Sequence, residues 1–282
     1  MDTIHRFLFE DLDIRGALIQ LGPIWNAMHA HRNYAPTVRD LLGELTAVTA
    51  LLGSNLKSPG RISFQMQGQG AVSLLLVECD EQLRLRGMAR YAPTDETCPE
   101  TATGLTELLG DGQLVLTLQA SADAQAYQSY VPLTGNSMAT VFEHYLAQSE
   151  QQPARLWLVA DAHNACGLFL QKLPEADLRD ADGWNRIEQL AATLRSAELV
   201  LPPKTLLTRL FADETIRLFE PRDVTWHCPR DEEKVRDMLR SLGREEVEAM
   251  LAEGGQIAIE DEICGHEYRF GAEILNLFRT LH

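Results

Sequence analysis

The sequence predicts an α+β chain in three parts: an antiparallel-sheet and helix domain over 1–178, a helical linker over 179–223, and a small helix-plus-hairpin module over 224–282. Three observations predict it. From residue 61 the apolar residues fall at period two, the spacing of half-buried strands. Before that point Leu41, Leu42, Leu45, Val48, Thr49, Leu51 and Leu52 make one broad apolar face at helical spacing. After residue 224, two short helical patterns precede a strand, a tight turn and a returning strand. A length of 282 residues also favours more than one folding unit.

Taken in order, Ile4, Phe7, Leu8 and Phe9 open the chain, and residues 15–21 suit a strand that passes into helical pattern near 23–30. The strong helix starts at Thr37-Val38-Arg39 and closes at Gly53 and Pro59. Residues 61–66, 72–79 and 82–89 read as strands separated by Gly68-Gln69-Gly70 and Asp80-Glu81. Gly110-Asp111-Gly112 leads into a strand over 113–119, and 127–132 completes that set. Residues 137–148 form a helix with Met138, Val141, Phe142, Tyr145 and Leu146 on one face. Strands follow at 156–160 and 167–173, bounded by Pro153 and Pro174. In the linker Trp184, Ile187, Leu190, Leu194 and Leu199 keep helical register, Pro202-Pro203 breaks it, and 206–211 resumes it. Its composition fits both a connector packed on the first domain and one that loosens from it.

Composition excludes several function classes. Forty-one acidic against 25 basic residues give a formal net charge of −16, which opposes a phosphate-tracking surface and so nucleic acid as a partner. There is no secretory pattern at the start and no apolar run of membrane-span length, so a cytoplasmic protein without membrane association is expected. Five scattered cysteines are no extracellular disulfide framework. Cys79 ends a strand pattern and Cys166 starts one, so both are expected buried; Cys98 falls on a loop. No Gly-x-Ser-x-Gly elbow, Walker A loop or His-Glu-x-x-His occurs. His5, His29, His31, His144 and His163 lack motif partners, and no enzyme is expected.

The tail is the informative stretch. Val235, Met238, Leu239 and Leu242 recur at helical spacing, and after Gly243 so do Val247, Met250 and Leu251, before Gly254-Gly255. Residues 256–259 read as a strand, Cys264-Gly265 as a turn, and 267–270 as the return. This brings Cys228, ahead of the helices, and Cys264, on the hairpin, toward one end of a module. About fifty residues bury little surface and usually need a metal or a covalent staple.

With its leading Leu218-Phe219-Glu220-Pro221-Arg222, this tail resembles the C-terminal redox domain of the 33-kDa heat-shock chaperones, a family of bacterial holdases switched on by oxidation. Strings in matching order extend the resemblance over essentially the whole chain. They include Arg6 to Glu10, Val72 to Val77, Arg86-Gly87, Leu108 to Leu114, Tyr145 to Gln151 with its Ser149-Glu150-Gln151, and Gly167 to Pro174. One departure is Ser129, where the family usually carries Gly. The resemblance implies ATP-independent capture of unfolding or partly folded client proteins, with linker and tail loosening on activation, and it makes a homodimer plausible. It identifies no client-contact residues.

In that family a Cys-x-Cys pair before the helices and a Cys-x-x-Cys pair on the hairpin hold one zinc ion. Here Cys228 matches the first cysteine and Cys264 the last, while Arg230 and Asp261 stand at the second and third positions. A zinc site needs about four donors in tetrahedral array. Asp261 can replace a thiolate, and Asp231, Glu262, His227 and His266 lie nearby, although His227 adjoins Cys228 and His266 lies beyond the turn. Arg230 places a permanent cation at a ligand position. The expectation is no cofactor; the alternative is zinc on Cys228, Cys264 and Asp261 with His227 or His266. Arg230 and Asp261, opposite in charge, are expected to pair. Without metal, Cys228 and Cys264 are redox candidates with two states: a disulfide that locks the tail on oxidation, or two free thiols. The function expected is a holdase with the family's zinc and disulfide switch lost or altered. The alternative is a non-chaperone binding protein whose tail serves dimerisation or docking.

Overall fold

The computed structural model describes residues 2–56, 60–92, 104–120, 125–149 and 151–278. Cys98 lies outside them. The fold is α+β, and the chain divides into two compact units, Met1–Trp226 and His227–His282.

The first unit runs β1 (Thr3–Phe9), β2 (Ile14–Leu21), α1 (Pro23–His29), α2 (Pro36–Gly53), β3 (Arg61–Gly68), β4 (Val72–Asp80) and β5 (Arg84–Tyr91). It continues with α3 (Leu105–Leu109), β6 (Gly112–Gln119), β7 (Tyr127–Pro132), α4 (Met138–Ser149), β8 (Ala154–Ala160) and β9 (Ala165–Lys172). Then come α5 (Ala176–Arg179), α6 (Gly183–Ala191), α7 (Pro203–Leu210), β10 (Ile216–Leu218), β11 (Arg222–Asp223) and β12 (Thr225–Trp226). One sheet has the order β10-β1-β2-β9-β8, with β11 also on β1; the other is β12-β5-β4-β3-β6-β7. Every pairing is antiparallel except β12 on β5.

Helix α2 lies between the sheets, touching β2, β8 and β9 of one and β3, β4 and β5 of the other. It therefore has almost no solvent face: Val38, Leu42, Leu45, Val48 and Leu51 are buried, and so are Thr46 and Thr49. The two threonine hydroxyls donate to the carbonyls of Leu42 and Leu45, 2.7 Å each, which meets the need of a buried polar group for a partner. Around α2 gathers the larger core, with Ile19 and Phe169 from one sheet and Phe64 and Val77 from the other.

The outer face of the first sheet is apolar as well, which explains the near-continuous hydrophobic run of β2 and β9. Phe7, Phe9, Ile14, Leu18, Leu168 and Leu170 there meet Ile187, Leu199, Leu206, Leu207 and Phe211. The stretch 179–223 thus carries α6, α7, β10 and β11 and closes a second core of the first unit. Gln20 ties it down, its amide nitrogen donating to the carbonyls of Leu199 and Leu201, 2.6 Å each.

The second unit holds α8 (Glu232–Leu242), α9 (Arg244–Gly254), the hairpin β13 (Ile257–Asp261) and β14 (His266–Phe270), and a final 3₁₀ turn over Ala272–Phe278. Leu239, Val247, Ile257, Tyr268, Phe270 and Ile274 make its own small core. Among the described residues no helix is long and apolar enough to cross a membrane.

Two outcomes test this packing. A Cβ on Gly16 would enter the ring of Phe7, its cross-strand partner and a fully buried side chain. Gly16→Ala is expected to destabilise the first unit by about 1–3 kcal/mol, read as a lower unfolding midpoint in denaturant; an unchanged midpoint would contradict the contact. In α2, burial and then the nearby Asp40 push the Glu44 carboxyl from 4.5 up to about 7. The folded state then holds a proton that the unfolded chain releases, so stability falls as pH rises from 4.5 to about 7. Glu44→Gln is expected to stabilise by about 1–3 kcal/mol at pH 8 and to be near neutral at pH 4.5. Equal effects at both pH values in thermal melts would exclude a buried titrating carboxyl.

Candidate functional site

The candidate site is the end of the second unit where the chain enters α8 and the β13–β14 hairpin turns. Cys228 and Cys264 form a disulfide, with sulfurs 2.03 Å apart and Cα atoms 5.6 Å apart. Both are half-buried. Of the two metal-free states open in the sequence, this structure holds the disulfide.

Asp261 positions the hairpin cysteine. Its Oδ1 accepts from the backbone N–H of Ile263 at 2.9 Å and of Cys264 at 3.2 Å, and its carbonyl accepts from Gly265 N–H at 2.6 Å. Gly265 completes the turn at φ +69°, a conformation glycine adopts without Cβ strain. Immediately afterwards, His266 Nε2 lies 2.7 Å from the carbonyl oxygen of Cys228. A carbonyl only accepts, so Nε2 carries the proton in that bond. This bond joins the two cysteine-bearing segments beside the disulfide.

Arg230 does not pair with Asp261, contrary to the expectation from charge. Its guanidinium lies over the Tyr268 ring, 5.7 Å from the centroid, and Nη1 donates to the Glu267 carbonyl at 3.4 Å. The reason is local: the Asp261 carboxylate is already engaged by the turn, and Tyr268, on the opposite strand, offers Arg230 an aromatic face. Tyr268 also accepts at its hydroxyl from Asp231 N–H, 2.9 Å, while Asp231 Oδ1 caps α8 by accepting from Lys234 N–H, 3.0 Å. Tyr268 is therefore the residue that sequence reasoning missed. Its signal was its place two before Phe270 on the inward face of β14.

In this structure the candidate zinc donors are engaged in other bonds or lie apart. Among the described residues no three His, Cys, Asp or Glu side chains gather as a metal-binding group. The two thiols are consumed in the disulfide, Asp261 is held by the turn, His266 donates to a carbonyl, and His227 is exposed. Elsewhere, burial pushes the Cys79 thiol up to about 12 and that of Cys166 up to about 11, which makes both inert at neutral pH. Burial lowers His5 and His29, and His29 lies against Trp25 with ring centroids 4.6 Å apart. His31, His144 and His163 are exposed.

Comparison with known proteins bears on the whole chain. The family model described as Hsp33 protein matches residues 2–271. Relatives include the 33 kDa chaperonin of Nitrosococcus oceani, 40% identical over 95% of this chain and 91% of the relative. That of Methylobacillus flagellatus is 38% identical over 95% of this chain and 91% of its own. The crystal structure of the 33 kDa chaperonin of Thermotoga maritima superposes with a TM-score of 0.82 at 20% identity, covering 98% of this chain and 97% of its own, and so shares the fold. A helix enclosed by two sheets, a connector closing the outer sheet face, and a match running almost end to end place this chain in the Hsp33 family.

Proposed function

We propose that this chain is an ATP-independent holdase chaperone of the cytoplasm, without enzymatic activity. In it a disulfide stands where the resemblance puts a zinc-bound thiol switch. Family membership over residues 2–271 supports the chaperone role. The observation that carries the altered switch is the site's donor set: Cys228 and Cys264 joined, with Arg230 over Tyr268 and Asp261 within the turn. The protein works without a bound metal.

The client surface proposed is the outer face of the first sheet. Phe7, Phe9, Leu18 and Leu168 are covered there by the stretch that carries α6 and α7. Lifting that cover exposes a contiguous apolar face, which holds unfolding chains by non-directional burial, at about 25 cal/mol per Å² and without a sequence code. The net charge of −16 keeps such a surface soluble. Activation follows the local stability of the cover, so heat serves as the signal, or the protein is constitutively active. Oxidation locks the tail.

A second reading has one observation in its favour. Met238 and Leu242 on α8 are 44% and 49% exposed, an apolar pair suited to a homodimer seam or a fixed docking partner. Saturable binding to one folded partner, without sequence-tolerant binding to unfolded chains, would favour it.

Two outcomes follow. The disulfide closes a loop with a sequence separation of 36, for which chain entropy gives about 4 kcal/mol. Reductant is expected to lower hydrogen-exchange protection in Ile257–Phe270, and Cys228→Ala with Cys264→Ala to reproduce that loss without reductant; equal protection throughout would remove the tie from the account. In the second, light scattering of a heat-denatured client is expected to fall with added protein under reducing, chelated conditions. Inactivity there, rescued by oxidant, would mean that the oxidative switch persists.

A further inference from the structure

We propose that the first unit binds an amphipathic anion, a single-chain carboxylate, in a cavity beside the C-terminal end of α2. The cavity measures about 530 Å³, within the range of small-molecule sites. Leu52, Ile62, Phe64, Leu116, Leu118 and Phe169 give it an apolar interior. Among the described lining residues Arg15 and Arg61 alone are charged, and none is a carboxylate. A smaller hollow of about 250 Å³ shares Arg15 and Asn55 with it and adds Arg6 and the half-exposed Phe219. Its described charged residues are again arginines alone. In a chain of net charge −16, the described lining of these two adjoining hollows carries three arginines and no acid.

These charges are poorly neutralised by the protein. Arg15 directs Nε and Nη2 to the side-chain oxygen of Gln171, its cross-strand neighbour, at 2.8 and 2.5 Å. That bond fixes the guanidinium, and Arg15 has no carboxylate partner among the described residues. Arg61 reaches Glu78 at 3.5 Å, but Arg86 already holds that carboxylate at 2.6 Å. Arg6 has no carboxylate partner among the described residues. An oriented arginine beside an apolar pocket is the chemistry that takes a carboxylate head by paired hydrogen bonds and an alkyl tail by burial. A cationic head on the same tail meets repulsion. The site lies wholly in the first unit and does not depend on the holdase reading.

Calorimetric titration of the full chain with dodecanoate, below its micelle-forming concentration, tests this. Saturable binding of one dodecanoate per chain is expected, with dodecyltrimethylammonium at least tenfold weaker. Arg15→Gln is expected to weaken dodecanoate about tenfold, the worth of a charge-assisted hydrogen bond. Leu116→Trp, filling the cavity, is expected to remove binding and is read where its circular dichroism and unfolding midpoint match the parent. Where they do not, Arg15→Gln alone carries the decision. Unsaturable uptake, equal binding of anion and cation, or unaltered dodecanoate binding by Arg15→Gln would overturn the proposal.

Discussion

A helix with almost no solvent face sets the terms for the first unit. Helix α2 buries Leu42 and Leu45 as well as Val48 and Leu51, so one sheet cannot cover it. Both sheets are required, and each must present an apolar inner face. Close approach then demands small side chains at the contacts. Gly43 faces Ala160, and a Cβ at Gly167 would lie 3.1 Å from Leu51. The polar atoms follow the same logic, since Thr46 and Thr49 find partners only by bonding back into their own helix. Where α2 ends, at Leu52, Asn55 and Leu56, the close packing gives way to the arginine-rimmed cavity.

The two faces of the first sheet differ in how they are covered. The inner face meets a helix buried all round, and opening it would disrupt the largest core. The outer face meets short helices, α6 and α7, held to it by apolar burial, by the Gln20 amide and by the Arg155–Glu188 ion pair. Exposed pairs are worth at most about 1 kcal/mol each. If one apolar face of this unit opens at modest cost, it is the outer one, which is why the client surface is proposed there.

The legible parts of the chain were those with a local period. The strands β3, β4 and β5 alternate clearly, and the apolar face of α2 was evident, although the enclosure of that helix by two sheets was not. The short strands β10, β11 and β12 were not foreseen, because residues 216–226 contain no run long enough to show a period. Their strand character comes from partners far away in sequence, Phe7 to Phe9 and Ile4 on β1, and Arg84 and Leu85 on β5. At the site, the meeting of Cys228 and Cys264 could be read from the order of helices and hairpin. The partner of Arg230 could not. Charge alone favoured Asp261, but the backbone N–H groups of a tight turn are fixed donors at short range and they occupied that carboxylate first. Tyr268 then offered Arg230 both a ring face and a neighbouring carbonyl.

Arg230 and Asp261, which the resemblance puts at two of the family's cysteine positions, do more than fill space. A carboxylate at 261 accepts two backbone N–H bonds in the turn that presents Cys264, something a thiol does weakly. A guanidinium at 230 lies over the ring whose hydroxyl receives the N–H of Asp231, the cap of α8. Each replacement thus braces one of the two cysteine-bearing segments, and the His266 bond to the Cys228 carbonyl links those segments directly. A site arranged to receive a metal would leave its donor atoms free and converging. This one spends them on holding two sulfurs together. The proposal of a tail that oxidation fastens, the reverse of a module that oxidation releases, rests on this arrangement.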